Sequence, residues 1–162
     1  MTTICLYAEP VADPVRGFYF EEPEEFEKKA SKNQDYNVQF IDGSDLDCEL
    51  FKVLDVGPET IPEFFNAVEE WDDYNKLRVI IYIRELGSSW DLSRDDPNDL
   101  YIDIYMEYSL EDLAKEFVAE GIFGDVSSSL TPFIDYEELG RYLSYDYTET
   151  VVGGMKVVYR AH

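Results

Sequence analysis

The chain has 162 residues and is 45% hydrophobic, which is enough to bury a core in one compact protein with subdomains. It carries 36 acids and 13 bases, a formal net charge of −23, which excludes nucleic acid as a direct partner and disfavours anionic membranes. We expect no transmembrane helix, no signal peptide and, with only two cysteines, no disulfide framework.

The first third of the chain mixes strand and helix signals. Short runs of β-branched and aromatic residues predict three strands, at residues 4–8, 17–20 and 36–42. A loop from Pro10 to Val15 separates the first two strands. A helix over residues 24–32 begins after Pro23 with acids and ends in lysines, as the helix macrodipole favours. These elements predict a small antiparallel sheet with a helix on it, in a subdomain of residues 1–57.

The middle of the chain is predominantly helical. Residues 43–56 are ambiguous, although Ser44 and Asp47 fit a capping box in front of an apolar stripe. A helix is predicted over residues 59–71, where apolar side chains recur at helical spacing: Ile61, Phe64, Phe65, Val68 and Trp71. Residues 73–86 fit either a β-branched strand or a buried helix, and we predict the helix. We assign residues 58–99 to a helical subdomain.

The last subdomain, residues 100–162, carries the clearest local signals. A strand with one buried face is predicted over residues 100–106. Ser109 and Asp112 form a capping box for a helix that ends near Gly121. Gly153-Gly154 is a hairpin signal between strands over residues 145–152 and 155–160.

The stretch from Glu120 to Leu143 joins two helices. Pro132 bars helix within the linker, and Asp135 with Glu138 predicts a second capping box. Leu139 and Leu143 then share one face of the second helix. Together the three subdomains predict an α+β fold, with a small antiparallel sheet at the N-terminus, helices in the middle and a three-stranded sheet with helices at the C-terminus.

The chain lacks the residues that most catalytic or metal sites require. Its only histidine is the terminal His162, which we expect to be exposed and passive, so no histidine triad or histidine zinc site is predicted. Two acidic clusters, residues 91–99 and 42–49, fail as calcium loops; in the first, Asp96 stands where glycine is needed and Ile102 where glutamate is needed. We predict no enzyme activity, no cofactor and no metal.

The spacing of the acids is more informative than any single pair. Acids recur at i, i+3 and i+4 on the predicted helices, where neighbouring side chains lie about 5–6 Å apart. A dimer would carry −46, the charge of roughly 23 base pairs of DNA. A DNA-sized anionic surface, with a strongly basic protein surface as its partner, is therefore plausible.

The C-terminal third closely resembles the ArdA antirestriction proteins. The resemblance is carried by residues 113–121 (LAKEFVAEG), 124–130 (GDVSSSL), 133–143 (FIDYEELGRYL) and 157–160 (VVYR). The IDYxxxGR core is the most specific part, and Tyr142 stands where the family usually has aspartate. Weaker matches lie upstream, at residues 4–7 (ICLY), 17–20 (GFYF) and 24–26 (EEF).

The resemblance implies an elongated, modular homodimer that mimics bent B-form DNA. Such proteins come from phages, plasmids or transposons, act in the bacterial host cytoplasm and occupy the DNA-binding groove of type I restriction–modification enzymes. It implies a dimer interface at or near Phe123, Val126, Leu130, Phe133 and Tyr136. The predicted DNA-like surface consists of Glu21, Glu24, Glu25, Asp45, Asp47, Glu59, Glu63, Glu69, Glu70, Asp72, Asp73, Asp95, Asp96, Asp99, Asp103, Glu107, Glu111, Asp112, Glu116 and Glu120.

Three alternatives remain open from the sequence. A DNA mimic of this kind is also compatible with inhibiting another DNA-binding defence system or a nucleoid protein. A metal-dependent hydrolase that uses only carboxylates belongs to a different class. An ordinary acidic domain from a salt-adapted cell would share the composition without any partner.

Overall fold

The computed structural model describes residues 3–162, which form two compact units. The first unit ends at Leu100, and the second runs from Tyr101 to His162. Each contains one three-stranded antiparallel sheet together with helices, so the predicted α+β class is confirmed. The predicted boundary after residue 57 lies inside the first unit and stays a prediction. Within residues 3–162, no helix combines the length and the apolar character needed to cross a bilayer.

The first unit contains three strands and four α-helices. They are β1 (Cys5–Pro10), β2 (Phe18–Phe20), α1 (Pro23–Lys29), β3 (Tyr36–Asp42), α2 (Asp45–Leu54), α3 (Ile61–Glu70) and α4 (Asp73–Arg84). The sheet has the order β2-β1-β3, and both pairings are antiparallel. All three predicted strands are confirmed. α1 ends before Lys32, because the backbone of Ala30 is already extended (φ −76°, ψ 141°).

The ambiguous segment after β3 is a helix, and its capping box is only half formed. Ser44 Oγ accepts a hydrogen bond from the Asp47 amide at 3.0 Å, so Ser44 caps α2 as predicted. The Asp47 carboxylate does not return the bond to the Ser44 amide, because it points into the interior of the unit. The predicted reciprocal box is therefore wrong, and the reason is a tertiary contact of Asp47 with α4.

The alternative of a strand over residues 73–86 is wrong, and the predicted helix is confirmed. The interior side chains of α4 are Lys76, Leu77, Val79, Ile80 and Ile81. They cover most of the helix circumference, so the sequence shows no clear apolar stripe there. Asp72 Oδ1 accepts from the Asn75 amide at 2.8 Å and caps the start of the helix.

Phenylalanine rings connect the sheet of the first unit to its helices. The ring centroid of Phe51 lies 5.8 Å from that of Phe40 on β3 and 5.4 Å from that of Phe64 on α3. Phe20 on β2 lies 6.1 Å from Phe65 on α3. Such aromatic pairs each add about 0.5–1.5 kcal/mol beyond the burial of their area. The sheet, α2 and α3 therefore share one apolar core.

A buried ion pair joins α2 to α4. Lys76 Nζ lies 2.8 Å from Asp47 Oδ1, and the two residues are 5% and 1% exposed. Within residues 3–162, neither Asp47 oxygen accepts a hydrogen bond of normal geometry, so Lys76 is the group that compensates the buried carboxylate. Removing one partner would leave the other charged and buried.

The second unit contains three strands and two α-helices. They are β4 (Ile102–Met106), α5 (Leu110–Ala119), α6 (Tyr136–Leu143), β5 (Thr148–Val152) and β6 (Met155–Ala161). The sheet has the order β4-β6-β5 and is antiparallel. Gly153 and Gly154 adopt positive φ values of 56° and 81°, so the predicted hairpin is confirmed.

Both ends of α5 follow the sequence prediction. Ser109 Oγ accepts from the Asp112 amide at 3.1 Å, and Asp112 Oδ2 accepts from the Ser109 amide at 3.0 Å. At the other end, Gly121 has φ 77°, and the amide of Ile122 donates to the carbonyl of Phe117. This arrangement satisfies the last carbonyls of the helix. A further cap comes from β5, where Glu149 Oε1 accepts from the Leu110 amide at 2.6 Å.

α6 packs closely against α5. A Cβ at Gly140 would lie 3.1 Å from the Leu110 carbonyl carbon, so glycine permits this approach. Asp135 caps α6 as predicted, accepting from the Glu138 amide at 3.1 Å. The predicted return bond is absent, because the Glu138 carboxylate is bonded to Arg141 instead. Pro132 lies in a single 3-10 turn.

The buried ion pair gives a stability prediction for the first unit. Lys76→Met should lower the free energy of unfolding by about 3–5 kcal/mol, because it leaves the buried Asp47 carboxylate without a positive partner. The double variant Asp47→Leu/Lys76→Met should be close to the wild type or more stable. Tryptophan fluorescence in urea measures this unit alone, since Trp71 and Trp90 both lie in it.

A matched control removes an exposed lysine from the same unit. Lys29 Nζ lies 3.8 Å from Glu25 at the surface, so Lys29→Met should cost less than about 1 kcal/mol. A double variant as unstable as Lys76→Met would mean that the site tolerates apolar packing poorly and would contradict this account of the pair.

A candidate anionic surface

The acids lie almost entirely at the surface of the two units. Of the 36 acids, Asp47 is the one that is buried. Fifteen members of the predicted surface set are exposed, and Glu25, Glu63, Asp112 and Glu116 are half-buried. The prediction is wrong for Asp47, because its carboxylate is buried and pairs with Lys76.

The charge is shared between the units. The first unit has 24 acids and nine bases, a net charge of −15, and the second has 12 acids and four bases, a net charge of −8. Surface ion pairs neutralise little of this charge: Lys29 and Glu25, like Lys115 and Glu111, are 3.8 Å apart, and both lysines are exposed. The 36 acids exceed the 13 bases by 23, so the basic side chains of the chain cannot neutralise this excess negative charge. Both units therefore carry a strong negative potential.

Some acids also hold the local backbone in place. In the loop after α4, Asp95 Oδ2 accepts from the Asp91 amide at 2.7 Å, and Asp96 Oδ1 accepts from the Asn98 amide at 2.9 Å. Asp91 Oδ1 accepts from the hydroxyl and the amide of Ser93, and these bonds lower the pKa of Asp91. The acids of residues 91–99, whose spacing resembles a calcium loop, thus accept hydrogen bonds that stabilise the turns of this loop. Among residues 3–162, no three His, Cys, Asp or Glu side chains are grouped to hold a metal ion.

The acids of α5 act on the tyrosines beside them. Hydrogen bonding to Glu116 raises the pKa of the Tyr108 hydroxyl. Burial, together with Tyr147 and nearby carboxylates that include Asp103, raises the pKa of Tyr105 to about 12. Both shifts move ionisation of the hydroxyls to a higher pH than the ordinary tyrosine value of 10.0.

His162 is exposed as predicted, but it is not without contacts. Its Nε2 lies 2.7 Å from Asp103 Oδ2, and its amide donates to the Tyr101 carbonyl. Asp103 is one of the acids of the predicted DNA-like surface. The contact arises because the antiparallel pairing of β4 with β6 brings the end of the chain beside Asp103, and the passive role of His162 stays a prediction.

The predicted dimer segment exposes apolar side chains. Phe133 is 81% and Leu130 is 58% exposed, and Phe123 and Val126 are also exposed. Tyr136 is half-buried, since it packs against the core of α5 and α6. Ile122, which was not in the predicted set, adds a further exposed side chain. Exposed apolar residues in one short segment are typical of a protein–protein contact.

An acidic cleft in the first unit includes residues that the sequence analysis missed. It has a volume of about 1050 Å³ and is bordered by α1, α3 and the start of α4. Its carboxylates are Glu21, Glu22, Glu24, Glu27, Glu69 and Asp73. Glu22 and Glu27 were absent from the predicted set, although the i, i+3 spacing of Glu24 and Glu27 on α1 was a usable signal.

No family model matches the chain, and no curated protein sequence matches it. The resemblance to the ArdA proteins therefore rests on the quoted motifs alone and stays a prediction.

The capping box of α5 gives a prediction about pH. Hydrogen bonds from the amide and hydroxyl of Ser109 hold the pKa of Asp112 below its ordinary value of 3.8. The stability from this cap is therefore fully present above that value and is lost as the pH falls below it. Asp112→Asn should cost about 1 kcal/mol near neutral pH and much less at acid pH.

Hydrogen exchange of the Leu113 and Ala114 amides measures the opening of α5 in both forms. Comparing variant with wild type at each pH cancels the intrinsic pH dependence of exchange. Glu111→Gln is the matched control, since Glu111 is exposed in the same turn and takes no part in the cap. An equal penalty for Asp112→Asn at both pH values would contradict the assignment.

Proposed function

We propose that this protein is a non-catalytic DNA mimic that inhibits type I restriction–modification enzymes by competing with DNA. The observation that carries the proposal is the exposure of the acids: 35 of the 36 acidic residues are at least partly exposed, on both units. The proposal also rests on the resemblance of residues 113–160 to the ArdA proteins. On that basis the protein acts in the cytoplasm of a bacterial host, is encoded by a phage or other mobile element and needs no cofactor.

The mechanism is electrostatic. Carboxylates take the positions of DNA phosphates against the lysines and arginines of the enzyme groove, and displaced counterions add to the free energy of binding. Many weak contacts share the binding energy, so no single carboxylate is essential. The negative potential also speeds encounter with a basic groove.

Dimerisation extends the mimic. Two copies would carry −46, which matches the phosphate charge of roughly 23 base pairs. The exposed apolar side chains between Phe123 and Phe133 support this segment as the contact between copies. Their burial would be favoured by the hydrophobic effect, which must offset the repulsion between two acidic chains.

The direct test measures competition with DNA for a type I methyltransferase core. The protein should displace labelled DNA, and its apparent inhibition constant should rise linearly with the DNA concentration. Affinity should fall by about tenfold or more from low to moderate salt, because the contacts are charge-based. An affinity that is flat with salt would exclude the mechanism.

Cumulative neutralisation separates this mechanism from carboxylate catalysis. Glu107→Gln alone should change inhibition by less than about twofold, and adding Glu111→Gln and Glu120→Gln should weaken it further at each step. All three residues are exposed in the second unit. Complete loss of inhibition from one of these changes would indicate a localised site instead.

The dimer proposal predicts a change of mass in solution. Sedimentation at micromolar concentration should give a dimer for the wild type and a monomer for Phe133→Glu, because the new charge would be buried in the contact. Val15→Glu is the control: Val15 is 92% exposed, lies in the first unit and should leave the dimer intact. A monomeric wild type would refute the proposal.

A further inference from the structure

The cleft of the first unit differs from the rest of the acidic surface because it is concave and partly apolar. Its six carboxylates stand on α1, on the turn before it, on α3 and at the start of α4. Phe65, Val68 and Trp71 also line it. Val68 is buried and the two aromatic residues are half-buried, so the cleft has an apolar wall. A solvated acidic face would lack such a wall.

Among the described residues 3–162, no lining base is free to neutralise the charge of the cleft. Lys76 is the basic residue among its lining residues. It is 5% exposed, and its ammonium group lies 2.8 Å from Asp47. The charge of Lys76 is therefore balanced by the interior carboxylate, and the six carboxylates of the cleft keep a strong negative potential.

The cleft combines the two properties that a long cationic side chain requires. The aliphatic stem of such a side chain packs on apolar surface, while its charged head needs carboxylates. A guanidinium group fits better than an ammonium group, because it is planar, stacks on aromatic rings and forms paired hydrogen bonds with carboxylates. Trp71 and Phe65 supply the rings, and Glu24, Glu27 and Glu69 are among the acceptors.

We propose that this cleft receives an arginine side chain from the basic protein partner. The identity of that partner rests on the proposed function, whereas binding of the arginine itself does not. An inserted arginine would fix the register between the two proteins. The surrounding acidic surface contributes long-range attraction that speeds the encounter with a basic partner.

The test uses N-acetyl-arginine amide as the probe and the full chain labelled with ¹⁵N. Titration should give saturable shifts at the backbone amides of Glu24, Glu69 and Trp71 and at the Trp71 indole. The neutral isostere N-acetyl-citrulline amide should give none, and the lysine amide should bind more weakly. Shifts that spread over both units without saturation would overturn the proposal.

Two triple variants with equal charge change sharpen the result. The first, Glu24→Gln/Glu27→Gln/Glu69→Gln, should weaken arginine binding by about tenfold or more, since it removes acceptors within the cleft. The control, Asp35→Asn/Asp42→Asn/Glu59→Gln, removes exposed acids outside the cleft and should change binding by less than about twofold. Equal effects of the two triple variants would show that only the net charge of the protein attracts arginine, and would contradict the proposal that the cleft is an arginine site.

The same variants distinguish failure of this inference from failure of the proposed function. Saturable arginine binding without inhibition of a type I enzyme would refute the proposed function and leave the cleft as an arginine site. Inhibition that both triples weaken equally, with no saturable arginine binding, would refute the cleft and leave the DNA mimic.

Discussion

Repulsion between like charges is the constraint on which the structure of this protein depends. In a chain with 36 acids and 13 bases, the repulsion between carboxylates raises the free energy of every compact state. The protein meets the constraint by keeping its carboxylates in water and by using several of them where a negative charge stabilises the backbone. Asp72, Asp112, Asp135 and Glu149 all accept hydrogen bonds from amides at helix starts, where the macrodipole also favours them.

Apolar packing supplies the opposing free energy. In the first unit, phenylalanine rings join the sheet to α1, α2 and α3, and α4 is buried around most of its circumference. In the second unit, α5 and α6 pack together with Val158 of β6. The exception is the pair of Asp47 with Lys76. A buried pair of this kind adds little net stability but disfavours any packing that separates its partners.

The acidic surface and the acidic cleft offer different kinds of recognition. The exposed carboxylates attract basic partners over a long range and speed their encounter. If the cleft receives an arginine as proposed, that contact would distinguish positions along a partner. The proposed competition with DNA would use both, because protein–DNA interfaces likewise combine positioning contacts to phosphates with specific contacts in the grooves.

Much of the fold followed from the sequence alone, because its signals act over three or four residues. The Ser109–Asp112 box, Gly121 and the Gly153-Gly154 hairpin were predictable for that reason. The exposure of most acids also followed, since a carboxylate is costly to bury without a partner. The sequence predicted the helix α4 but left a strand open there, and the structure removed that alternative. Only the tertiary structure decided the burial of Asp47 and the grouping of Glu22 and Glu27 with Glu69. These outcomes depend on residues far apart in the chain, and no local pattern records which distant side chain will offset the cost of burial.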